Sequence, residues 1–155
     1  MIKKSLKSLI ASATLLSTFS VMAEKSPTPD EVKRVLDYYQ AGAGNPPILA
    51  DFKYCESVFK DGDHKNNCEK PVDSIEEGDE LLIWMNFLIP KNVNSTILLQ
   101  MNYKGVTRDT RNIKINDAMR YRIWKKVKFP KAGGWTIKVF QESDNDFTEL
   151  YSTDV

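Results

Sequence analysis

A chain of 155 residues with 22 basic and 21 acidic side chains has too little net charge to point to a partner. Its single histidine denies most acyl- and proton-transfer chemistries their usual base. The length is one domain's worth, enough to close a hydrophobic core without a metal or several staples.

The N-terminus reads as an export signal. Lys3, Lys4 and Lys7 form a positive start, and Leu9 to Val21 is an apolar run lightened by Ser and Thr. Val21-Met22-Ala23 then places the cut before Glu24. A spanning helix needs roughly 20 strongly apolar residues, more than this run supplies. No cysteine follows the cut, so no lipid anchor is expected there, and the mature chain is expected to hold no transmembrane segment. The expected location is the periplasm, or the medium after secretion. Cleavage leaves 132 of the 155 residues, and it removes three lysines, leaving 19 basic against 21 acidic residues, a net −2. In an oxidising compartment the isolated pair Cys55 and Cys68 reads as a structural disulfide. A redox-active pair is more often Cys-x-x-Cys at a helix start.

The signal at 1–23 is followed by a lead and helix over 24–47 and a β-domain over 48–155. Thr28-Pro29-Asp30-Glu31 combines a capping Thr, Pro at the first helical position and Glu at the third. Val32, Val35, Leu36 and Tyr39 make one apolar stripe, and Gly42, Gly44 and Pro46-Pro47 end the helix near residue 41. Such a helix is too short to stand alone, so its stripe is expected to dock. From Ile48 the period is two. Strands are expected from Ile48 towards Phe59 and at about 80–89, 95–103, 106–115, 119–129, 134–141 and 147–153. Residues 60–70 form a polar loop, and Asp144-Asn145-Asp146 a hairpin turn.

About seven short strands separated by turns predict a mainly β fold, an Ig-like two-sheet antiparallel sandwich with one N-terminal helix. In 80–89 both faces are apolar, with Leu82, Trp84 and Leu88 opposite Leu81, Ile83, Met85, Phe87 and Ile89. This predicts a central strand covered on both sides, with the N-terminal helix as a candidate cover.

Residues 119–129 alternate. Met119, Tyr121, Ile123, Val127 and Phe129 share one face, broken by Lys125, and Arg120, Arg122, Trp124, Lys126 and Lys128 share the other. The stretch 100–140 holds 11 Lys or Arg against two Asp, whereas 51–80 and 141–155 carry −6 and −5. The basic row is the candidate binding face: Arg forks onto carboxylate or phosphate, and Trp gives a flat apolar surface. The alternative is internal pairing with acidic segments, the last strand with Glu142, Asp144, Asp146 and Glu149 being the candidate neighbour. Export argues against nucleic acid as the partner.

No cofactor or metal site is expected. Asp61, Asp63 and His64 lack the Gly and Glu spacing of a calcium loop, and zinc would need further His or free thiols. Ala41-Gly42-Ala43-Gly44 follows a helix rather than a strand, unlike a phosphate-binding loop. Asn94-Ser95-Thr96 matches a glycosylation sequon in a chain whose signal looks bacterial.

Arg122-Ile-Trp124, followed by Phe129-Pro-Lys-Ala-Gly-Gly-Trp135-Thr-Ile-Lys-Val139, resembles the closing hairpin of bacterial Ig-like extracytoplasmic domains of unassigned function. The likeness covers this segment alone. It implies the fold and no active site.

Three roles are thus expected. The first is a non-enzymatic binding module for a protein or an anionic envelope component. The second is a small envelope hydrolase using His64 and nearby acids. The third is a subunit of an envelope assembly with Trp84 against its neighbour.

Overall fold

The computed structural model describes residues 26–143 and 146–155. The expected signal at 1–23, and Asp144-Asn145 of the expected hairpin turn, lie outside the described residues. The chain forms α1 (Pro29–Ala41), then β1 (Ile48–Cys55), β2 (Pro71–Val72), β3 (Glu80–Ile89) and β4 (Ser95–Tyr103). It continues through β5 (Val106–Ile115), β6 (Ala118–Lys128), β7 (Trp135–Ser143) and β8 (Asp146–Asp154). No described helix is long and apolar enough to cross a membrane.

Two antiparallel four-stranded sheets face each other. The front sheet has the order β2-β1-β3-β6 and the back sheet β5-β4-β7-β8. The sequence period of two explains the arrangement, because alternate residues of each strand point into the gap between sheets. Ile83, Met85 and Phe87 of β3 meet Ile97 and Leu99 of β4 and Ile137 of β7 there, all fully buried. Phe129 packs edge-on against Trp135, with ring centroids 5.5 Å apart, and closes one end of the core. Lys104 and Gly105, both at positive φ, make the two-residue β4–β5 turn between Tyr103 and Val106.

The two-sheet sandwich and its helix are as expected, and strand ends fall within a few residues of the expected ones. Four details differ. β1 stops at Cys55, and Val58 makes only an isolated bridge to Cys68. The segment 122–139 is not a hairpin, because β6 pairs with β3 in the front sheet while β7 lies between β4 and β8 in the back sheet. The helix forms with its Thr28–Glu31 capping box, but its stripe stays open, with Val32, Val35 and Leu36 at 44%, 41% and 41% exposure. Contacts at its C-terminal end hold it: the Lys91 amide donates to the Tyr39 carbonyl at 2.8 Å, and the Tyr38 hydroxyl to the Pro46 carbonyl.

The fourth difference concerns the outer side of β3. Trp84 is covered by the loop 56–70, which folds back over the front sheet, and not by α1. The disulfide Cys55–Cys68, with Cα atoms 5.9 Å apart, anchors it. Cys55 is the register partner of Leu82, so it projects from the outer face and ties the loop there. Backbone bonds from Glu56 to Lys70, Glu69 to Ser57, and between Phe59 and Asn66-Asn67 complete the flap.

Candidate basic face on the front-sheet edge

β6 is the last strand of the front sheet. Its register sets Lys128 opposite Glu80, Lys126 opposite Leu82, Trp124 opposite Trp84, and Arg122 opposite Asn86. These inter-strand partners share a face, and Leu82, Trp84 and Asn86 point away from the core. Arg120, Arg122, Trp124, Lys126 and Lys128 therefore all stand on the outer face, as the alternation requires. Tyr121, Ile123 and Val127 turn inward. Met119 shares their parity but lies beyond the core at 49% exposure. Lys125 also has the inward parity, opposite the buried Ile83, and is half-buried.

The five outer residues have different surroundings. Arg122 is a clamp for the flap: its guanidinium donates to the Lys65 carbonyl at 3.0 Å. Burial under the flap, and then the neighbouring charge of Arg120, hold the Arg122 pKa below its ordinary value. Its Nε is shut from solvent without a hydrogen bond, as is the Oδ1 of its register partner Asn86. These are a donor and an acceptor on adjacent strands. Trp84, 3% exposed, donates its indole N–H to the Asn66 carbonyl at 2.7 Å, so the flap is bonded to both β3 and β6. Asn66 adopts positive φ at this point, which aims its carbonyl at the indole. Lys53 of β1 lies 5.6 Å from the Trp84 ring centre. Trp124 is half-buried beside Trp84.

Lys126 reaches Glu80 at 2.6 Å, and this bond holds the Glu80 carboxyl below the usual carboxylate range. Both partners are more than half exposed, so the pair contributes little to stability. Arg120 and Lys128 are exposed, and among the described residues no carboxylate lies within 4.0 Å of either.

The last strand is not the counterpart of this row. β8 belongs to the other sheet, and its Glu149 bonds Lys138 of β7 at 2.9 Å. Of the acidic stretch 51–80, only Glu80 reaches the basic row.

His64 is exposed in the flap and faces Phe59, with ring centroids 5.8 Å apart. Asp61 and Asp63 sit in the same turn. Among the described residues, no three His, Cys, Asp or Glu side chains gather as a metal site would require. A surface depression of about 630 Å³ lies elsewhere, between Thr96, Lys114 and Glu142 on the back sheet.

The clamp bonds of Arg122 and Trp84 could not be read from β6 or β3 alone. The usable signal was the combination of a doubly apolar strand with a disulfide ring that begins on its neighbour. No protein-family model matches the chain, and no curated protein is significantly similar to it.

Proposed function

We propose that the protein is a non-enzymatic binding module of the extracytoplasmic space, periplasmic or secreted, which holds an anionic partner on the outer face of β6. The Cys55–Cys68 disulfide supports an oxidising compartment, since structural bridges persist where thiols are not kept reduced. One observation carries the choice of face. The outward row of β6 ends a sheet, and the acidic β8 that could have neutralised it is built into the other sheet. Two of its cations, Arg120 and Lys128, are therefore left for an external partner.

The division of labour along β6 dictates the variants. Arg122 is unsuitable as a binding probe because it also fixes the flap. The informative variant is Arg120→Glu with Lys128→Glu, titrated against soluble polyglutamate. Expected is binding that weakens as salt rises, and a loss of about tenfold or more in the double variant at unchanged melting temperature. Equal binding by the double variant would remove β6 as the site.

A further inference from the structure

The front-sheet edge offers main-chain groups as well as charge. β6 runs 11 residues, and among the described residues its backbone pairs with β3 alone. In an antiparallel ladder every second residue directs its N–H and C=O away from its partner strand. An unpaired row of these groups therefore lines the far side of β6. Along the same strand the outward residues recur at a step of about 6.8 Å, and all of them except Trp124 are cations. An added strand would repeat that step, with its own side chains roughly 5 Å from those of β6.

The other edges differ. β2 is two residues long. On β5, Asp109 and Arg111 pair with each other at 2.8 Å. On β8, Glu149 is bonded to Lys138 and Asp154 to the Thr136 hydroxyl. Among the described edges, β6 alone combines a long free run with charge that is wholly positive, whereas the charges of β8 are acidic and those of β5 are mixed. That sign also selects the occupant. Antiparallel pairing of β6 with β6 of a second copy would set Arg and Lys rows against each other, which is destabilising. Basic residues on an edge are a common device against such self-pairing. The same row attracts a strand whose outward positions carry carboxylates.

We propose that the free edge of β6 accepts an extended acidic segment of a partner protein as a fifth strand of the front sheet, main chain to main chain, with carboxylates at alternate positions facing Arg120, Lys126 and Lys128. This rests on the cationic-face reading above and adds the mode of binding. The exposed Lys126–Glu80 pair is weak enough to exchange for a partner carboxylate, and backbone pairing supplies the affinity that scattered charges lack.

The test uses the purified protein and four probes. These are a capped octapeptide alternating glutamate with valine, its two isomers N-methylated at one or the other set of alternate amides, and inorganic polyphosphate. Expected is binding of the parent peptide, a loss of about tenfold or more for one methylated isomer only, and slowed hydrogen exchange at β6 amides. Charge reversal at Arg120 and Lys128 should lower peptide affinity by a similar factor. Equal binding of both isomers and of polyphosphate overturns strand addition while leaving the cationic face standing. Failure of every anionic probe to bind overturns both. Concentration-dependent self-association that protects β6 and β8 without any peptide also overturns the proposal, because a second copy would then be the occupant.

Discussion

The outer faces of the two sheets meet water on different terms. On the back sheet the outward residues of β4 and β7 are mostly polar, among them Thr96, Gln100, Asn102, Thr136, Lys138 and Glu142. That face is left bare, as an antiparallel sheet allows. On the front sheet β3 turns Leu82, Trp84 and Leu88 outward, and the chain covers Trp84 with a flap stapled by its one disulfide. Where the outward pattern is apolar, the sequence supplies a lid. Where it is polar, it supplies none. β6 lies at the border, with Arg122 beneath the flap and Arg120 and Lys128 outside it.

The two outer faces differ most at Trp84. Truncation to Ala removes a large buried side chain and orphans the Asn66 carbonyl, and should cost about 3–5 kcal/mol in denaturant unfolding. Thr96→Ala on the bare face should cost less than about 0.5 kcal/mol. Equal costs would mean that the flap is an appendage and not a lid. Replacing Cys55 and Cys68 together by Ala should come next, at about 3 kcal/mol for a ring of this size. Tryptophan fluorescence in that variant should become accessible to a soluble quencher, and unchanged shielding would assign the cover to the flap's hydrogen bonds alone.

Arg122→Ala sharpens the border. A charged donor is lost from a half-buried site, so a cost of about 1.5 kcal/mol is expected, together with faster exchange at the flap amides. A change below about 0.3 kcal/mol would place Arg122 with the exposed cations.

These residues also mark where the sequence was legible. Period-two patterning located every long strand because parity is a local property of the chain. Thr28 to Glu31 located the helix start for the same reason. The double apolarity of 80–89 correctly implied a cover, but its source was a matter of tertiary geometry. The stripe of α1 was a candidate, yet the disulfide begins on the outward-facing Cys55, diagonally across the β1–β3 ladder from Trp84. Pairing of β6 with the acidic last strand was unreadable in either direction, since charge composition does not state which sheet a strand joins. The β6 row was legible as a row, and the division of its members between clamp and free charge was not.

Tyr54 tests the inner side of the strand that carries the staple. It faces the core beside Phe52 and Phe129, and its hydroxyl is buried without a partner. Burial first, then the nearby Tyr151, raises its pKa above the ordinary 10.0. A proton held more tightly in the folded state stabilises fully below the unfolded pKa, and this contribution is lost as pH rises from about 10 towards the folded value. Tyr54→Phe should change stability at neutral pH by less than about 1 kcal/mol and flatten the alkaline decline in melting temperature. An equally steep decline in the variant would assign the alkaline loss to other groups.

The smallest expected effect on stability belongs to Arg120 and Lys128, and its smallness is informative. Both are exposed, and neither has a described carboxylate within 4.0 Å, so reversing them to Glu removes no ion pair. It relieves repulsion between Arg120 and Arg122, which is among the causes of the lowered Arg122 pKa. Lys128 also lies opposite Glu80, so reversal there adds a like-charge contact at an exposed position. The two changes oppose each other, and the sum should stay within about 0.5 kcal/mol. A residue pair that contributes so little to folding, on a strand whose neighbouring cations are already engaged, has its charge available for a ligand. A measured destabilisation above about 1.5 kcal/mol would instead make the whole of β6, ends included, part of the lid's framework.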